Sequence, residues 1–327
     1  MLAGSLDQLT LDLPVAQDVR DARQRIAPFV RRTPLIRSHT LSELIGANVH
    51  LKLEMFQKTG AFKVRGAFNR MLALSGAERA RGVVAVSAGN HAQAVAYAAR
   101  KLEMRAIVLM PDSTPLNYLR ATADYGATVV LTSTLADALK RVHRYVERGF
   151  TYVHPFADRL VIAGQGTLGL EILDDVPDVT DVIVSVGGGG LAGGVALAIK
   201  SVRPSVRMWG VETEGAESMA AALAAGHVVE LPRVTSIAHT LGAPAVAEET
   251  LALAQQYLES VTVVSDASAM DALRFLLERV KVLTEPASSC TLAAAYRLRR
   301  SFRPDSQVVL VLCGGNIAAD EICRGAA

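Results

Sequence analysis

Six short runs of aliphatic and β-branched residues limit what this chain can fold into. They are VVAVS (Val83–Ser87), AIVLM (Ala106–Met110), TVVL (Thr128–Leu131), DVIVSV (Asp181–Val186), MWGVE (Met208–Glu212) and VVLVLC (Val308–Cys313). Their apolar residues are contiguous rather than alternating, the pattern of strands covered on both faces and hence of parallel sheets. The stretches between them are longer and helical in character. NHAQAVAYAARKLE (Asn90–Glu103) is alanine-rich, RVHRYVERG (Arg141–Gly149) reads as a solvated helix face, and TLSEL (Thr40–Leu44) has the Thr-x-x-Glu spacing of a capping box. The alternation predicts an α/β fold with open, twisted parallel sheets. At 327 residues the chain is long enough for two lobes. One lobe would use the strands between about Gly82 and Val130, the other those from Asp181 onward, with a crossing near VHPF (Val153–Phe156).

Other classes are disfavoured. A net charge of +2 with scattered basic residues gives no electrostatic case for nucleic acid. The three cysteines, Cys290, Cys313 and Cys323, form no CxxC, so neither a disulfide framework nor a zinc site is expected. The N-terminal MLAGSLDQLTLDLP carries acids and lacks the features of a signal peptide, and no run of about 18 apolar residues occurs. A soluble, cytoplasmic protein is the expectation.

Three glycine-rich loops each follow a predicted strand and open a predicted helix: VSAGNHAQ (Val86–Gln93), VSVGGGGLAGG (Val184–Gly194) and VLCGGNIA (Val311–Ala318). Ligands collect at the carboxyl ends of strands in open α/β sheets. Gly187 to Gly190 leave their amides uncovered ahead of a helix N-terminus, which suits a phosphate. Close helix–strand packing is the plain alternative. A nicotinamide site is a sharper one, because Gly187-x-Gly189-x-x-Ala192 fits the dinucleotide fingerprint and Glu212 ends the next strand. Lys63, set between Phe62 and Val64 in TGAFKVRGAFNR, points instead to pyridoxal phosphate, which needs a phosphate cradle and one reactive lysine. Spacing alone does not choose among Lys52, Lys58 and Lys63.

KLEMFQKTGAFKVRGAF, SAGNHAQAVAYAA, HPFADRLVIAGQGTLGLEIL, VGGGGLAGG, EPASS and LCGGN resemble the fold-type II pyridoxal-phosphate enzymes, the tryptophan synthase β-like fold. Within that group they are similar to the threonine/serine dehydratases, with serine racemase as a near cousin. The resemblance runs from Thr33 to Asn316 and implies two lobes with the cofactor in the cleft between them. Residues 1–76 and 157–327 would form a large cofactor-binding domain and 77–156 a small one. It implies that Lys63 is the Schiff-base lysine, that Phe62 sits against the cofactor ring and that Asn90 bonds its phenolic oxygen. Gly187, Gly188, Gly189 and Gly190, with the Leu191 amide, would hold the phosphate. Cys313 would face the pyridine nitrogen and Glu285 would lie near the ring. Ser87, Ala88, Gly89, Asn90 and His91 would hold the substrate carboxylate. The implied reaction is α,β-elimination from a β-hydroxy-L-amino acid, L-threonine or L-serine, to a 2-oxo acid and ammonia, by a homodimer.

Three departures from the resemblance bear on function. Ala88 replaces the second serine of serine racemase, so elimination without efficient racemisation is expected. Glu212 and Ala216 match a cation site of the relatives, but Ser218 stands where its further acid would be, so no metal is assigned. IAHTLGAP (Ile237–Pro244) carries His239 and Thr240 in place of an Asp-Gly pair near the substrate side chain. That substitution keeps phenylserine and 3-hydroxyaspartate in view as substrates. A nicotinamide oxidoreductase leaves Lys63 without a task, and a non-catalytic binding protein leaves both Lys63 and Asn90 without one.

Overall fold

The computed structural model describes residues 11–323. The strands are β1 (Leu35–Arg37), β2 (Asn48–Leu53), β3 (Val83–Val86), β4 (Ala106–Pro111), β5 (Thr128–Thr132), β6 (Thr151–Tyr152), β7 (Asp181–Ser185), β8 (Arg207–Thr213), β9 (Ser260–Val264) and β10 (Gln307–Leu312). They form a six-stranded sheet in the order β1-β2-β10-β7-β8-β9 and a four-stranded sheet in the order β5-β4-β3-β6. Every pairing is parallel except β1 with β2. All six predicted runs are strands. Val308 to Leu312 on β10 are fully buried, as expected of a central strand covered by helices on both faces.

The predicted cap at Thr40 is corrected. The helix His39–Ile45 begins one residue before it, and the Ser38 side chain accepts from the Leu41 amide at 3.3 Å. The helices predicted at Asn90 and around Arg141 are present as Asn90–Lys101 and Leu135–Glu147. No described helix is long and apolar enough to cross a membrane.

Two features fix the ground beneath the site. The helices Arg159–Asp175 and Gly190–Lys200 approach so closely that a Cβ on Gly166 would stand 2.7 Å from the Gly194 carbonyl oxygen. Only glycine permits that contact. Beside them lies a fully buried ion network. Arg65, in the helix Val64–Leu72, pairs with Glu54 at 2.8 Å and Glu171 at 2.7 Å, and Lys52 pairs with Glu171 at 2.6 Å. Buried ions persist only when matched, and here two cations face two carboxylates and a third, partly exposed one, Asp175, 3.8 Å from Lys52, with the Thr33 carbonyl accepting a further bond from Lys52 at 2.8 Å. The network ties the helix that starts just after Lys63 to β2 and to the helix Arg159–Asp175.

Candidate active site

Strand ends from the six-stranded sheet and two loops from the other, after β3 and β6, meet at a single cleft. It is lined by Phe62, Lys63, Asn90, Phe156, Ser185, Gly187 to Leu191, Thr240, Leu241, Glu285, Ala287 and Cys313, around about 440 Å³ of space free of protein atoms. Ten predicted residues therefore converge here from five separate stretches of chain: Phe62, Lys63, Asn90, Gly187, Gly188, Gly189, Gly190, Leu191, Glu285 and Cys313. Ser87, Ala88, Gly89 and His91 do not line this inner space; they sit behind Asn90 at the end of β3.

Lys63 precedes the helix Val64–Leu72, and its Nζ donates to the Pro155 carbonyl at 2.8 Å. Burial lowers the amine to about 8, against smaller opposing effects of Cys313 and Glu285. A lysine near 8 has a usable neutral fraction at physiological pH. Lys52 and Lys58, the other two lysines of the segment, are engaged elsewhere. Lys52 belongs to the ion network, and Lys58 Nζ donates to the Phe29 carbonyl at 2.6 Å.

The glycine loop shows why the sequence needs four glycines, and packing is part of the answer. Gly189 has φ of 90°, the left-handed region, and a Cβ on it would stand 2.7 Å from Thr250 Cβ. A Cβ on Gly188 would stand 2.2 Å from Phe156 Cδ1, and one on Gly190 would stand 2.8 Å from the Phe156 carbonyl oxygen. The loop also opens the helix Gly190–Lys200, whose first-turn amides have no intrahelical acceptor and suit an anion. The two accounts of the glycines, close packing and anion binding, are compatible: one concerns their Cα atoms and the other their amides.

At the opposite end Glu285 Oε1 accepts from Asn90 Nδ2 at 2.8 Å and from Thr240 Oγ1 at 2.9 Å. Asn90 Oδ1 in turn accepts from Asn316 Nδ2 at 2.8 Å, and the Tyr118 hydroxyl donates to the Asn316 carbonyl. Glu285 Oε2 is buried without a hydrogen-bond partner. Burial raises Glu285 to about 7, although Thr240 and Asn90 pull it down. Cys313 is buried, its Sγ 3.2 Å from Ser288 Oγ, and burial pushes the thiol up to about 12. It is a neutral group at any ordinary pH. His91 Nε2 lies 2.8 Å from the Val153 carbonyl, its other ring nitrogen is buried without a partner, and burial lowers it to about 3. Ser87 Oγ accepts from the Gly89 amide at 3.1 Å.

Glu212 has another occupation. Its two oxygens accept from the Met219 and Ala220 amides, each at 2.8 Å, at the start of the helix Ser218–Ala225. Among the described residues no group of three or more His, Cys, Asp or Glu could hold a metal ion.

The donor set fits pyridoxal phosphate. It comprises an anion-binding helix start, one lysine with a lowered pKa, an aromatic face at Phe62, and an unsatisfied buried carboxyl oxygen in the same cleft. Sequence reasoning missed Phe156, Ser185, Leu241 and Ala287 as lining residues. Each of them lies inside a stretch already singled out in the sequence: Phe156 in HPFADRL, Ser185 in VSVGGGG, Leu241 in IAHTLGAP and Ala287 in EPASS, so membership of those stretches was the available signal.

The family model of the pyridoxal-phosphate dependent enzymes matches residues 26–314. The L-threonine ammonia-lyase of Thermotoga maritima is 42% identical over 310 residues, covering 94% of this chain and 77% of that protein. The catabolic L-threonine dehydratase TdcB of Escherichia coli strain K12 is 38% identical, with 97% of each chain covered. Among solved structures, maize serine racemase superposes with a TM-score of 0.91 at 34% identity, covering 95% of this chain and 96% of that one. The processed form of threonine deaminase isoform 2 from Solanum lycopersicum superposes with a TM-score of 0.89 at 32% identity, covering 94% and 91%.

Proposed function

The chain belongs to the family of pyridoxal-phosphate dependent enzymes, and on that premise we propose that it is a threonine dehydratase (ammonia-lyase). It converts a β-hydroxy-L-amino acid, L-threonine or L-serine, to a 2-oxo acid and ammonia. The observation that carries the assignment is the pairing, in one cleft, of a buried lysine held near 8 with a glycine loop opening a helix.

When bound, pyridoxal phosphate supplies an aldehyde that takes up the substrate's amino nitrogen and a ring that accepts the electron pair left at Cα. The chain's own residues do the rest. The amides of Gly187 to Leu191 would hold the phosphate, and Phe62 would pack on the ring. The loop Ser87 to His91 holds the substrate carboxylate and so fixes which bond at Cα faces Lys63. Lys63 Nζ, neutral above about pH 8, removes the Cα proton. The β-hydroxyl then takes up a proton and leaves as water, and hydrolysis of the carbon–nitrogen bond gives the 2-oxo acid and ammonia. Cys313, neutral because of its burial, would not hold a proton on the ring nitrogen as a carboxylate would. Asn90 would bond the ring's phenolic oxygen, and Glu285 holds the Asn90 side chain in place.

Residues 77–156, which contain all four strands of the smaller sheet, are taken as the small domain. The assembly is taken as a homodimer on family likeness. Racemisation is the second activity to weigh, because of the likeness to maize serine racemase. Position 88 of the carboxylate loop is alanine and has no hydroxyl to serve as a second acid, which supports elimination. The test is release of ammonia and 2-oxo acid from L-threonine and L-serine by cofactor-loaded protein. Turnover of neither, or formation of D-serine from L-serine faster than 2-oxo acid, would contradict the assignment.

A further inference from the structure

The segment Ile237 to Gly242 runs along the cleft, and Thr240 and Leu241 line it. A short helical turn, His239–Leu241, holds Thr240, with the Leu241 amide on the Ala238 carbonyl at 2.8 Å. It has no room to retreat, since a Cβ on Gly187 would stand 3.1 Å from Leu241 Cα and from its carbonyl oxygen.

The Thr240 side chain is fixed at both ends. Its hydroxyl donates to Glu285 Oε1 at 2.9 Å. Its methyl stands over the carboxylate loop, where a Cβ on Gly89 would lie 3.2 Å from Thr240 Cγ2. A β-branched side chain has few rotamers to choose from, and one with both branches in contact does not swing aside. The volume it occupies is therefore permanent. That volume lies between Gly89, which belongs to the loop assigned to the substrate carboxylate, and Glu285, which shares the cleft with Lys63. A substrate with its carboxylate on that loop and its Cα at Lys63 must place its side chain in what is left.

We propose that Thr240 is the specificity-determining residue that restricts the substrate to small β-hydroxyamino acids and excludes aryl-substituted ones. The assignment rests on the dehydratase function and deepens it. The hydroxyl and the methyl have separate duties: the hydroxyl anchors the side chain on Glu285, and the methyl excludes.

Three variants separate these duties. Thr240→Ser keeps the anchor and removes the methyl, Thr240→Val keeps the shape and removes the anchor, and Thr240→Gly removes both. One methylene in a fitted pocket is worth ~10–200-fold in discrimination. The ratio of kcat/KM for phenylserine to that for L-threonine is expected to rise at least ~10-fold in the serine and glycine variants and to stay unchanged in the valine variant. Calorimetry on cofactor-loaded protein, with the unreactive amino acids L-alanine and L-phenylalanine, gives a readout independent of turnover. L-phenylalanine should bind ~10-fold more tightly in the serine and glycine variants, with L-alanine unaffected. If the wild-type protein turns over L-threonine but both variants leave the phenylserine ratio and L-phenylalanine binding within ~2-fold, the role of Thr240 is overturned and the dehydratase assignment stands. Wild-type turnover of phenylserine as fast as threonine overturns it equally. Absence of threonine and serine turnover in the wild type overturns both.

Discussion

The Lys63 amine is bound to the carbonyl oxygen of Pro155 at 2.8 Å, a residue 92 positions further along the chain. The bond spans from the start of the helix Val64–Leu72 to the turn that follows the last strand of the smaller sheet, and it directs the amine into the cleft. A carbonyl does not compensate a buried charge as a carboxylate does, so burial dominates and the amine falls to about 8.

The rate of cofactor capture by cofactor-free protein should follow that value. Only the neutral amine attacks an aldehyde, so the rate rises about tenfold per pH unit below 8 and levels above it. Stopped-flow absorbance from about pH 6 to about pH 10 measures this. A rate still climbing at the alkaline end would show an ordinary, solvated lysine.

Glu285 gives a stability signature of its own. Its folded-state pKa, about 7, lies above the ordinary value of 4.5. The fold therefore binds this proton more tightly than the unfolded chain, and stability falls as pH rises from about 4.5 to about 7. Glu285→Gln, which keeps an acceptor for Asn90 and Thr240, should be more stable than wild type above about pH 7 by up to about 3 kcal/mol, with the difference gone below about pH 4.5. Denaturant unfolding of the cofactor-free proteins on either side of that window decides it.

Removing the cation from the buried network should be costly. Arg65→Met strands Glu54 and leaves Glu171 with Lys52 alone, and breaking a buried pair on one side costs about 3–5 kcal/mol. Burial disfavours the ionised form of Glu171, but Arg65 and Lys52 outweigh it and hold its carboxyl below the ordinary range. In wild type that contribution is present above about pH 4.5 and is lost as pH falls through the folded value. Thermal melts from about pH 3 to about pH 7 should show this acid-side loss in wild type and a shallower one in the variant.

Gly189→Ala strains a left-handed position and crowds Thr250. A cost of about 2 kcal/mol falling on the loop weakens cofactor affinity by ~30-fold. Absorbance titration gives the dissociation constant, and a melting curve of the cofactor-free protein checks that the fold survives. Unchanged affinity would mean that the loop does not hold the phosphate.

Much of this was legible in the sequence because covered parallel strands are written as contiguous apolar runs. The elements that escaped had other reasons for their residues. β2 reads Asn-Val-His-Leu-Lys-Leu, and Lys52 looks exposed until Glu171, 119 residues away, is seen to neutralise it. β6 is two residues long, and β9 lies at a sheet edge where half-burial weakens the pattern. Ser38 rather than Thr40 caps its helix because the chain turns earlier than the Thr-x-x-Glu spacing suggests. In the cleft, the glycine loop was visible from local composition, whereas the choice of Lys63 over Lys52 and Lys58 came from the family resemblance. The position of Thr240 against Gly89 was not legible, since it depends on where a distant segment runs.

The most direct measurement is the identity of the lysine that bonds the cofactor. Cofactor-free protein is mixed with pyridoxal phosphate, its visible absorbance followed, the adduct fixed with borohydride and the peptides mapped by mass. The account predicts a yellow protein with one adduct per chain, on Lys63, and a colourless, unmodified Lys63→Ala. An adduct on Lys52 or Lys58, or none at all, would contradict it.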